Sequence, residues 1–155
     1  MIQTQMIIES WNLTVKHVSD LFDKLSYEQI MKEVSPNRNR GIYLLGHLTA
    51  AHDSMLPLLG FREHMFPELT NVFLSKPDNL DYQPFTIAEL RKKWTAVNEE
   101  LKKQFINLSI EDWLKKHTAI SDEDFAKEPH RNRLNVVLSR TNHLSNHYGQ
   151  LALLR

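Results

Sequence analysis

The spacing of the apolar residues constrains this chain more than any other feature. Trp11, Val15, Val18, Leu21, Phe22 and Leu25 recur at about 3.6 residues per turn and predict a helix over 11–25. The clearest case is Ile87, Leu90, Trp94, Val97, Leu101 and Phe105, which Thr86 and Glu89 open with a capping-box pattern. A helix over 42–59 carries Leu44, His47, Leu48, Ala51, Met55 and Leu58 on one stripe, with Gly60 placed to end it. A last helix, from 132 to the C-terminus, carries Leu134, Val137, Leu138, Thr141, Leu144, Tyr148 and Leu151. The six prolines fall in connections or at segment ends, and there are only four glycines. No alternating strand pattern and no internal repeat occur. The expectation is one all-α domain over residues 1–155, a four-helix bundle.

The connections are unequal. Ser26 with Gln29 fits a capping box for one short extra turn, and 35–41 (Ser-Pro-Asn-Arg-Asn-Arg-Gly) reads as a polar loop. Residues 61–85 hold three prolines and no sustained period, too long for a hairpin connection, so a crossover or functional loop is expected. The stretch 107–131 is irregular, with short helical segments near 109–116 and 121–126.

Charge and composition exclude several functions. Nineteen basic and nineteen acidic residues balance, so no basic footprint for nucleic acid is present. No run approaches the roughly 20 apolar residues of a membrane span, and the N-terminus lacks a leader pattern. A cytoplasmic protein with no membrane partner is the expectation. Cysteine is absent while histidine occurs eight times, which rules out disulfides and thiolate ligands and leaves His, Asp and Glu for any metal.

His143 and His147 lie four residues apart, about 40° around the helix, so both rings leave one face on successive turns. Gln150 lies on the same edge and is placed to orient a ligand or a bound water. Gly149 between them costs about 1 kcal/mol relative to Ala inside a helix, and close approach of another backbone would compensate. His47 sits on the apolar stripe of the second long helix, where an imidazole needs a partner. Two His from one helix and one from another give a three-ligand set with positions left open, the arrangement of catalytic rather than structural zinc. A surface coincidence and a satisfied core histidine are the plainer alternatives.

The other candidates are weaker. His52 is about 140° from His47 around the helix and reads as a surface or rim residue; Asp53 reaches at best the edge of the site. His17, His64, His117 and His130 read as surface imidazoles. Arg38, Arg40 and the run 130–133 (His-Arg-Asn-Arg) read as solvated charge rather than anion contacts, and the three tryptophans as core or rim packing. No Glu-x-x-His pair for a di-iron bundle, no phosphate loop and no nucleophile elbow occur.

Gly46-His47-Leu48, followed by His143-Leu144-Ser145-Asn146-His147-Tyr148-Gly149-Gln150-Leu151, resembles the DinB/YfiT-like family of metal-dependent helical bundles, in order and spacing over nearly the whole chain. The resemblance implies an up-down-down-up bundle with a long connection between its second and third helices. It implies one divalent ion held by His47, His143 and His147. Zinc is the first expectation, with nickel, copper and iron also suited to imidazole. Many relatives carry Arg where this chain has Tyr148. Members of the family include small-thiol transferases and a thiol-dependent isomerase, so a small-molecule substrate and a low-molecular-weight thiol are the implied partners. With no Cys in the chain, the sulfur must arrive with the cosubstrate. The ion would activate a bound thiol or water. A metal-dependent hydrolase and a metal or small-ligand binding module without turnover remain open alternatives, and no catalytic acid or base is assigned. Homodimers are common in the family, and Leu151, Leu153 and Leu154 leave room for such an interface.

Overall fold

The computed structural model describes residues 2–155, leaving Met1 outside the described residues. Every regular element among them is helical, joined only by isolated bridges between Glu33 and Arg40 and between Lys116 and Asn132. In chain order these are α1 (Ile2–Lys24), α2 (Tyr27–Ile30), α3 (Gly41–Asp53), α4 (Met55–Leu58), α5 (Glu68–Phe73), α6 (Ile87–Ile106), α7 (Ile110–Leu114), α8 (Asp122–Lys127) and α9 (Arg133–Leu151). A short 3₁₀ turn, Ala152–Leu154, follows α9. Among the described residues, no helix is long and apolar enough to cross a membrane.

The local signals act as the sequence predicts at several helix starts. Ser26 and Thr86 each accept from the backbone N–H three residues on while Gln29 and Glu89 reach back to the cap N–H. The first helix is longer than its apolar stripe suggests: it begins at Ile2, where Ile2 and Met6 are exposed and leave no buried period to read. The helix expected over 42–59 begins at Gly41 and is interrupted at Ser54, consistent with the N–H that Pro57 lacks. Gly60 ends it at φ +72°, with Gly60 N–H on Pro57 O at 3.0 Å and Phe61 N–H on Leu56 O at 2.9 Å, the paired bonds of a Schellman motif.

α1 packs along α9 and α3 along α6, while α3 also touches α5 and α9. The consequence is visible in α3, where every residue except His47 is buried. It is thus a central helix rather than an amphipathic one, and its single-stripe reading is corrected. One part of the core gathers Phe22, Leu45, Phe73, Trp94, Leu144 and Leu151; another gathers Trp11, Met55, Leu101, Phe105, Trp113 and Val137. All three tryptophans are buried. Leu151 and Leu154 belong to this chain's own core, which corrects their assignment to an interface; of that trio only Leu153 is exposed. Leu138, expected on the apolar face of α9, also faces solvent.

Arg40 departs furthest from its expectation as solvated charge. It is buried and makes a 2.7 Å ion pair with Asp78, whose carboxylate also accepts the Arg40 backbone N–H at 2.8 Å. This pair ties the start of α3 to the long connection. Gly46 secures the same connection differently: a Cβ there would lie 2.3 Å from the Phe73 ring, so only glycine lets α5 seat against the α3 backbone. Gly149, by contrast, has nothing within 4 Å of such a Cβ, so the expected backbone approach is absent there. Substituting Gly46→Ala should therefore destabilise the protein by about 1–3 kcal/mol, the usual cost of overpacking. Urea unfolding checks it, with Gly149→Ala as the comparison that should not destabilise.

Candidate metal centre

Two helices bring three imidazoles together. His47 comes from the middle of α3, and His143 and His147 come from successive turns of α9. His143 Nε2 lies 3.1 Å from His47 Nε2 and 3.1 Å from His147 Nε2, and the three ligand atoms all fall within 4.8 Å of one another. The spacing read from sequence thus does place the His143 and His147 rings side by side, and the chain folds the His47 ring against them.

The outer nitrogens determine what the inner ones offer. His47 Nδ1 lies 2.9 Å from the carbonyl of Phe73, an acceptor only, so Nδ1 carries the proton and Nε2 presents its lone pair. His147 Nδ1 lies 2.9 Å from Gln150 Oε1. The Gln150 amide is oriented by its own N–H donation to Asn146 Oδ1 at 3.2 Å, so Oε1 faces the ring and His147 Nε2 is again the free lone pair. Gln150 thus meets the outer nitrogen of His147, one turn along the same helix. His143 Nδ1 is buried without a partner.

In the metal-free trio, a neutral His143 can donate its Nε2 proton to only one of the two lone pairs facing it. A cation satisfies all three nitrogens at once. Tetrahedral zinc–imidazole bonds of about 2.0–2.1 Å separate ligand nitrogens by roughly 3.3 Å, close to the two 3.1 Å edges. Electrostatics point the same way. Burial, reinforced by the neighbouring His147 and His47, holds His143 down at about pKa 4. Burial also lowers His147, against the opposing Gln150 hydrogen bond. Both rings are accordingly neutral near pH 7, the form that ligates.

His52 and Asp53 correct the sequence reading. His52 is fully buried rather than a rim residue, with ring centroids 4.6 Å from Trp11 and 4.8 Å from Trp94. Its Nδ1–H donates to Asn98 Oδ1 at 2.8 Å, an orientation fixed because Asn98 Nδ2 donates to Trp94 O. Asp53 is also buried and lies away from the trio. It accepts from Met65 N–H at 2.8 Å, Phe66 N–H at 3.2 Å and His64 Nδ1 at 2.9 Å, pinning the start of the long connection. His64, expected at the surface without a role, is thus half of that contact. His17 is exposed and stacks on Tyr148 at 6.0 Å, while His117 Nδ1 accepts the Ala119 N–H. The helical period alone could not locate His52, because on a helix buried all round every face is an inner face. The Phe73 carbonyl left no sequence signal, since any residue type supplies that oxygen.

A cavity of about 560 Å³ opens onto His147 and Gln150, with residues of the 34–39 loop on its other side. Of the three histidines, His147 lines this cavity. No protein-family model matches the chain, and no curated protein matches it.

Burial between the tryptophans holds the His52 pKa at about 3, against an ordinary 6.5. Between those limits the unfolded chain binds a proton that the folded chain refuses. Stability should therefore fall as pH drops through that window, by at most about 1.4 kcal/mol per pH unit from this group. Replacing His52→Phe should give a shallower acid limb in urea unfolding between pH 7 and 4.5, whatever its absolute stability. Parallel limbs for the two proteins would contradict this account of His52.

Proposed function

We propose that this chain is a divalent-metal-dependent enzyme with the DinB/YfiT-like four-helix-bundle architecture, using one ion held by His47, His143 and His147. The observation that carries this reading is the convergence of three Nε2 atoms, two of them fixed as lone-pair donors by Phe73 and Gln150. The pairing of α1 with α9 and of α3 with α6, together with the long connection between α3 and α6, supports the up-down-down-up bundle. The all-nitrogen donor set with open positions favours zinc. A divalent ion there supplies Lewis-acid activation of a bound thiol or water, and a small-thiol-dependent transferase is the reaction class favoured by the sequence motif.

The chain's own residues have separable tasks. His47 and His147 are aimed by hydrogen bonds to their outer nitrogens, so they bind without first reorganising. His143 closes the set from between them. The neighbouring cavity leaves room for a small molecule beside His147. The absence of cysteine assigns any sulfur nucleophile to a cosubstrate.

Protein purified without a His tag and dialysed against zinc should retain about one ion per chain, and His143→Ala should retain almost none. Gln150→Ala should weaken zinc binding about 10–100-fold while preserving stoichiometry at saturating metal. Acidification from pH 7 towards 4 should release the ion, because each ligand must be neutral to bind. Stoichiometry near zero and unaffected by His143→Ala would overturn the site. With zinc restored, conjugation of small thiols to a panel of electrophiles should appear and be abolished by a chelator. Inactivity with every thiol and electrophile on a fully loaded protein would replace the enzyme with a binding module.

A further inference from the structure

The cavity beside the trio has a lining whose chemistry is one-sided. Val34, Ser35, Asn37, Arg38 and Asn39 form one wall, and His147, Gln150 and Leu153 form the other. The lining holds one guanidinium and several neutral hydrogen-bonding side chains, but no carboxylate. Arg38 is exposed, and among the described residues no acidic group pairs with it. Its near neighbour Arg40 is spent on Asp78 beneath the loop. The two arginines of one polar segment therefore have opposite fates, one structural and one free at the cavity wall.

The loop that carries Arg38 is held in place. Glu33 and Arg40 form an antiparallel bridge, Val34 N–H donates to Asn39 O at 3.0 Å, and Arg38 N–H donates to Ser35 O at 3.0 Å. The last bond closes a turn with Pro36 and then Asn37 at its centre, and Asn37 has φ +60°, as the third residue of a type II turn requires. Glu33 Oε2 also accepts the Asn37 N–H at 3.2 Å. A fixed backbone thus presents an unpaired cation across a cavity from a metal-ligating histidine.

We propose that this cavity recognises a small carboxylate ligand, with Arg38 pairing with the carboxylate while the other end of the molecule reaches the histidine trio. The assignment rests on the metal-site reading above. A single guanidinium matches a single carboxylate in charge and in its two-pronged geometry, whereas a phosphate dianion would leave a charge unbalanced in this lining. Asn37, Asn39 and Ser35 provide neutral donors around it. Val34 and Leu153 suit a short aliphatic spacer.

The test uses the full chain loaded with cobalt(II) in place of zinc, so that sulfur coordination is read from the thiolate-to-cobalt charge-transfer band. Thiols of three to six carbons ending in a carboxylate are titrated beside their terminal amides, with wild type and Arg38→Gln compared at pH 7.5. The expected result is that at least one carboxylate binds wild type about tenfold more tightly than its matched amide, as one charge-assisted contact implies. In Arg38→Gln that preference should shrink to within about twofold, with cobalt affinity and amide binding unchanged. Equal binding of carboxylate and amide at every length, a preference that survives Arg38→Gln, or cobalt uptake with no thiol band would each overturn the carboxylate site while leaving the metal site intact. Failure to take up cobalt at all would overturn both readings.

Discussion

The contact between Gly46 and the Phe73 ring is the constraint on which the centre depends. Because residue 46 has no Cβ, α5 can lie directly against the α3 backbone, and the Phe73 carbonyl at the end of α5 comes within 2.9 Å of His47 Nδ1. That carbonyl belongs to a helix end and needs a donor from outside the helix. The imidazole supplies one and is fixed in a single tautomer by doing so. The Tyr43 hydroxyl, one turn earlier on α3, secures the following backbone by donating to Lys76 O at 2.6 Å. A packing feature of the core thereby decides which nitrogen of a histidine faces the other two.

The burial of α3 explains why the remaining polar groups around it are not available for chemistry. Arg40 is paired with Asp78, Asp53 is occupied by backbone N–H groups and His64, and His52 is held between two indoles with Asn98 at its Nδ1. These contacts satisfy buried polar groups that would otherwise be costly, while His52 Nε2 stays buried without a partner. His47 alone on this helix retains partial exposure, and its free nitrogen faces α9. The division between structural and chemical polar residues is therefore made by what each side chain meets, since Arg40, His52 and Asp53 all lie within seven residues of His47 in sequence.

Much of this was legible in the sequence, for physical reasons that also mark its limits. The helices opened by Ser26 and Thr86, the Gly60 stop and the stripe of Trp94, Val97 and Leu101 are encoded by contacts within a few residues, and the structure contains them. His143, His147 and Gln150 share one helix, so their mutual geometry follows from the helical repeat. Periodicity fails where a helix is surrounded, and this is why the helical period puts His52 at the rim although it is wholly buried. It fails too for contacts closed across long separations, such as Arg40 with Asp78 and His47 with Phe73. Gly149 and Gly46 show the same limit: a helical glycine announces room for something, and only the tertiary structure supplies the Phe73 ring at one and open space at the other.

The centre is best understood as three imidazole Nε2 atoms brought together before any ligand arrives, two aimed as lone pairs by hydrogen bonds and the third, on His143, placed between them. Such an arrangement lowers the reorganisation needed for binding and makes a specific demand on coordination. X-ray absorption at the zinc edge of the loaded protein tests that demand most directly. The account predicts three imidazole nitrogens at about 2.0–2.1 Å with a lighter exchangeable ligand completing the shell. A shell of oxygen donors, or one containing fewer than two imidazoles, would contradict it.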